Sequence, residues 1–155
     1  MAGLQASLDL ASRAARIAAA IAVHRQDTDA ELLYETALLD GFAELLLWIE
    51  APAEAVAIAE RRQAHPAAPI DAERAILGTE LHAIGAALMQ RWGLPSLLHE
   101  LAQPGLPAHS GARTVALARR LARDESAQAE HLGELARHLN VSVPAAQAFF
   151  TEVTQ

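Results

Sequence analysis

Apolar residues recur at helical spacing along almost the whole chain, and no stretch alternates in the manner of a strand. Leu8, Ala11, Ala15, Ala18 and Ala22 fall on one face of a first helix, expected from about Leu4 to His24. Thr28 and Glu31 have the spacing of a capping box and predict the next start. From there Leu32, Leu33, Leu38, Leu39, Phe42, Leu45, Leu46 and Ile49 predict one central helix with Gly41 in its middle. Pro52 suits the first turn of a third helix ending near Gln63, and His65 to Pro69 reads as a linker. Asp71 is the expected cap of a long helix that contains Gly78 and Gly85 and ends at Trp92. Gly93 fits its C-terminal cap, and Pro95 stops it. A short helix is expected over Ser96 to Ala102, then a loop from Pro104 to Gly111. Further helices are expected over Ala112 to Arg123 and Gln128 to Leu139, with Ser142 capping a last one that carries Phe149, Phe150 and Val153. The fold class is all-α, a compact bundle of seven or eight helices in one domain over 1–155.

Composition narrows the function. The hydrophobic fraction is 52%, rich in Ala and Leu, and aromatic residues make up only 4%, a mix that favours packed helices. Twelve Lys and Arg against nineteen Asp and Glu give a net charge of −7. That balance opposes phosphate-backbone binding and anionic membrane surfaces, so neither nucleic acid nor membrane is an expected partner. The absence of cysteine excludes disulfides and thiolate metal sites. The Ala-rich run from Ala14 to Val23 is too short to span a bilayer and lacks a cleavage pattern, so the expected location is cytoplasmic.

Four segments resemble the HDOD domain, a helical relative of the HD phosphohydrolases. Arg13, Ala14 and Ala15 open an Ala-rich turn similar to the family's. Ala37 to Leu45 resembles its "GLLHDIGKL" helix. Gly78 to Gly85 follows the pattern "GxxHxxxG", and Arg91, Trp92, Gly93, Leu94 and Pro95 follow "xWxLP". The resemblance implies the HD-like half of the domain, with the family's N-terminal helical subdomain expected to be absent. It also implies a bacterial role in signal transduction.

The departures from the pattern bear on chemistry. Asp40 and Gly41 stand where the family has its His-Asp dyad, and Leu81 stands at the histidine of the signature helix. Gln103 to Leu106 contains no histidine where a His-His pair is common. An HD-type hydrolase needs several His and Asp ligands to activate a metal-bound water. Asp40 is the only matched residue able to ligate, and His82 lies about 100° around the helix from position 81. No catalytic residue, metal ligand or cofactor is therefore expected.

His131, Glu134 and His138 share one helix face and could form a surface metal site. The plainer reading is a solvated face with Glu134 pairing with His138. His99 and His109 could meet across the Pro104 loop, and His65 is expected to be exposed. Asp40, within an apolar helix, needs either a basic partner from a neighbouring helix or water. No G-x-S-x-G elbow or Gly-rich phosphate loop is present. Leu132 to Ala146 faintly resembles a helix-turn-helix, but its second helix carries no Lys or Arg.

The expectation is a non-catalytic regulatory domain working through a protein partner. The alternatives are a degenerate pocket near Asp40, Leu81 and Gln103 that binds a small ligand such as a nucleotide, a hydrolase with displaced ligands, and a homodimerisation module.

Overall fold

The computed structural model describes residues 2–65, 68–94, 98, 109–123 and 128–154. The expected short helix over 96–102, the loop from Pro104, and the residues Pro95, His99 and Gln103 fall almost wholly outside that set. Among the described residues the regular structure is entirely helical: α1 (Ala2–His24), α2 (Ala30–Leu39), α3 (Phe42–Glu50), α4 (Pro52–Ala64), α5 (Pro69–Leu77), α6 (Leu81–Trp92), α7 (Ser110–Arg123), α8 (Gln128–Leu139) and α9 (Val143–Thr154).

α1 is the hub. It packs against α2, α3, α7 and α9. Its alanines let those neighbours approach closely, and its two isoleucines fill the space between them. Ile17, Ile21, Leu117, Leu121 and Leu135 are essentially solvent-free in one apolar core shared by α1, α2, α7, α8 and α9. α3 leaves this core to contact α4 and α6. There a smaller cluster forms from Phe42, Met89 and Leu98, with Leu46, Leu88 and Leu94 against it. The Phe42 and Trp92 rings lie 5.8 Å apart, although Trp92 stays half exposed.

Several local expectations hold. Pro52 opens α4, Gly93 caps α6 at φ +63°, and the backbone amide of Ala145 donates to Ser142 Oγ at 3.4 Å. Three do not. The helix expected from Leu32 to Ile49 is two helices, because the chain breaks at Asp40 and Gly41. Gly41 adopts φ −97°, ψ 11°, outside helical geometry, and Asp40 there reaches across to α7. The Thr28 and Glu31 capping box does not form. Thr28 Oγ1 donates instead to Asp29, and α2 begins at Ala30. The long signature helix is likewise two helices. Gly78 ends α5 at φ +72°, a left-handed conformation that glycine adopts without steric cost, and α5 begins at Pro69 rather than under an Asp71 cap. Gly85, by contrast, does lie inside a helix at a crossing point. A Cβ there would sit 3.4 Å from the Ala43 Cβ of α3.

Candidate functional site

The α2–α3 break places Asp40 against α7. Arg119 Nη1 donates to Asp40 Oδ2 at 2.7 Å. Only 9% of the Asp40 side chain reaches solvent. Burial raises the pKa of its carboxyl above the ordinary 3.8, against the opposing pull of the Arg119 and Arg123 charges. A basic partner from a neighbouring helix is thus present.

Leu81, at the matched histidine, is buried. The polar chemistry at that position belongs to its backbone. The Leu81 amide donates to Glu73 Oε2 at 2.6 Å, so a carboxylate from α5 caps the first turn of α6. Such an anion also meets the favourable end of the helix dipole. Arg62 of α4 donates to the other Glu73 oxygen at 2.5 Å, and its second terminal nitrogen lies 3.6 Å from Glu44 of α3. One chain of charge therefore joins Glu44, Arg62, Glu73 and the start of α6. Glu44 lies four residues beyond Asp40, across the break between α2 and α3. Asp40 pairs with Arg119 and the Leu81 amide with Glu73, with no hydrogen bond or ion pair between the two groups.

Sequence reasoning singled out Asp40 but missed Arg62, Glu73, Arg119 and Arg123. Glu73 gave no signal of its own, because Asp71 and Arg74 flank it on the same short helix. Of the matched structural positions, Gly78, Gly85, Trp92 and Leu94 have the places described above, and Pro95 lies outside the described residues.

The donor set here does not suit a catalytic metal. Leu81 offers no ligand atom, Gly41 has no side chain, and the carboxylates of Asp40 and Glu73 are each committed to an arginine. Among the described residues no three His, Asp or Glu side chains are grouped so as to hold an ion. His82 turns to the exposed side and pairs through Nδ1 with Glu80 at 2.8 Å.

The second candidate, on α8, is taken apart by its neighbours. Glu134 does not pair with His138. Arg120 of α7 donates to both Glu134 oxygens at 2.6 Å. His138 turns towards α1 and α7. Its Nε2 lies 2.8 Å from Thr114 Oγ1, and that hydroxyl also donates to the Ser110 carbonyl at 3.2 Å. Arg25 lies 3.4 Å from the ring, donates to the His138 carbonyl at 3.2 Å and to Ser110 Oγ at 2.9 Å, and pairs with Asp27 at 3.1 Å. Burial, then the charges of Arg25 and Arg113, hold the imidazole below its ordinary 6.5. His131 keeps a buried Nδ1 with no partner among the described residues, and His65 is exposed.

The segment that faintly resembles a helix-turn-helix serves the large core instead. Leu132, Leu135, Ala136, Leu139 and Ala146 are all buried in it. No helix among the described residues is long and apolar enough to cross a membrane.

Comparison with known proteins gives one family. A model described as the HDOD domain matches residues 2–104, about two-thirds of the chain. No curated protein and no solved structure matches.

Proposed function

The chain belongs to the HDOD family, a signalling-associated and HD-related group of helical domains, and on that premise we propose that it is a non-catalytic bacterial regulatory domain acting through protein contacts. The observation that carries this reading is the Asp40–Arg119 pair. In a hydrolase of the HD type the dyad carboxylate faces a metal that activates water. Here the one carboxylate at that position is neutralised by a guanidinium from α7, and the matched histidine is a buried leucine. Arginine stays protonated at any physiological pH, so it cannot serve as the proton acceptor for a nucleophilic water.

The surface of α2 supports the contact part of the proposal. Leu32, Tyr34, Leu38 and Leu39 all remain exposed within its ten residues. Large apolar side chains concentrated in this way favour a protein partner over bulk water. The partner is distinct from nucleic acid, given the acidic net charge of −7.

The test is turnover of phosphodiester and phosphomonoester substrates with added manganese. The proposal expects none above the rate without protein. Turnover that scales with protein and is lost in Asp40→Asn would overturn it.

A further inference from the structure

Residues 25–29 connect α1 to α2. Gln26 takes φ +59°, and the amides of Gln26 and Asp27 donate to the Val23 and Ala22 carbonyls at 3.0 and 2.9 Å. Those bonds close the end of α1 but reach no other helix. Among the described residues, Arg25 supplies the only side-chain hydrogen bonds from this connection to another helix. It donates to the Ser110 hydroxyl at the start of α7 at 2.9 Å, and to the His138 carbonyl in the last turn of α8 at 3.2 Å. Its Nη1 also lies 3.4 Å from Nε2 and 3.5 Å from Nδ1 of the His138 ring. One guanidinium therefore ties the connection to two helix ends, with an imidazole beside it.

The hydrogen bonds fix the protons of that ring. Thr114 Oγ1 donates to the Ser110 carbonyl, so its lone pair receives Nε2–H of His138 at 2.8 Å. Nδ1 then keeps the lone pair of the neutral ring, and Arg25 is the donor near it. A proton added at Nδ1 turns that acceptor into a donor and sets a second cation beside the guanidinium. Burial disfavours the imidazolium first, and the charges of Arg25 and Arg113 add to it. The two carboxylates that favour it are Asp27, from the connection, and Glu134, on α8 itself. Asp27 is already paired with Arg25 at 3.1 Å, and Glu134 with Arg120 of α7 at 2.6 Å. At the same ends of α1 and α7, His24 packs edge-on against Phe149, and His109 Nδ1 accepts from the Gly111 amide at 3.2 Å. Along α9 the one ionisable side chain is Glu152, which is exposed. A charged ring would thus face two arginines with no carboxylate of its own.

We propose that Arg25 and His138 form a proton-operated clasp, in which the neutral imidazole holds the α1–α2 connection against α7 and α8 and the imidazolium releases it. The apolar core stays folded in both states. The clasp is independent of the protein-contact reading of α2, although the connection leads into that helix.

The test is NMR on the full chain, with the His138 ring and the backbone order parameters followed together as pH falls from neutral through the titration of that ring. At neutral pH residues 25–29 should show the rigid value of about 0.85. They should fall below about 0.6 as the ring charges, while Ile17 to Ile21 stay rigid. His138→Gln can still accept from Arg25 and does not titrate, so its connection should remain rigid throughout, with circular dichroism verifying the fold. His109→Gln is the control and should lose order as the wild type does. Arg25→Gln removes the repelling cation, so its His138 ring should titrate at higher pH than in the wild type. A connection that stays rigid after the ring has charged, or that loosens equally in His138→Gln, would overturn the clasp. So would a ring that stays neutral until the whole chain unfolds, or one whose titration Arg25→Gln does not move upward.

Discussion

The two halves of this molecule are held together by different physics. The core of α1, α2, α7, α8 and α9 is alanine-dense, apolar and nearly free of solvent. Among the described residues the region of α3 to α6 has the small cluster around Phe42, Met89 and Leu98, and it adds a partly buried ionic chain from Glu44 through Arg62 to Glu73. Apolar burial is non-directional and tolerates drift in side-chain identity. A hydrogen-bonded carboxylate inside a protein is directional, and it is costly once a partner is lost. The family match ends at residue 104, yet much of the large core comes from α7 to α9 beyond it. The family match therefore covers the whole region of specific polar contacts together with α1 and α2 of the apolar core, which α7 to α9 complete.

The largest effect should come from the apolar half. Ile21 is fully buried in the last turn of α1, and Ile21→Ala should cost about 3 to 4 kcal/mol in urea unfolding. A loss under about 1 kcal/mol would mean that the core of α1 is loosely packed. The polar half should answer to Glu73→Ala, which strands Arg62 and the Leu81 amide together. We expect a loss of about 2 to 3 kcal/mol, with faster amide exchange in α5 and the first turn of α6 than in α1. Uniform acceleration across all helices would erase the distinction between the halves.

Leu81→His sharpens the comparison at a single position. The imidazole would enter a buried site whose nearby carboxylate is already occupied by Arg62, so thermal stability should fall, by about 2 kcal/mol. Metal affinity should not rise, as equilibrium dialysis with manganese would show. A tightly bound ion in that variant would mean that other ligands lie within reach.

The smallest effect is a pH dependence inside the apolar half. His138 has a depressed pKa in the fold, so the unfolded chain binds its proton more readily. Its contribution to stability is complete above the ordinary imidazole value near 6.5 and is lost as pH falls from there towards the folded value. Unfolding midpoints measured from neutral to mildly acidic pH should fall in the wild type and fall less in His138→Gln. Asp40 works in the opposite sense in a more acidic range. Its raised pKa makes ionisation unfavourable in the fold, so that contribution is present below 3.8 and lost as pH rises through the folded value.

Much of this architecture was legible in the residue pattern. The spans of α1, α4, α8 and α9 follow from apolar periodicity, from Pro52 and from Ser142, because those signals act within one turn. The breaks at Asp40 with Gly41 and at Gly78 were not legible. Apolar residues continue in helical phase on both sides, and only the chain's path in space separates α2 from α3 and α5 from α6. At the site, Asp40 announced itself as a charge in an apolar run that needed a partner. Arg119, 79 residues away, could not be chosen from the other arginines by spacing. Glu73 was hidden for a related reason, since one of its two oxygens accepts from a backbone amide, which no side-chain pattern reveals.

We propose that the Asp40–Arg119 pair stands where hydrolases of the HD type hold a metal. Elemental analysis of the purified full chain after incubation with manganese and desalting tests it most directly. Metal well below one ion per chain is the predicted result. One or two ions retained per chain would contradict the account and return this fold to the hydrolases.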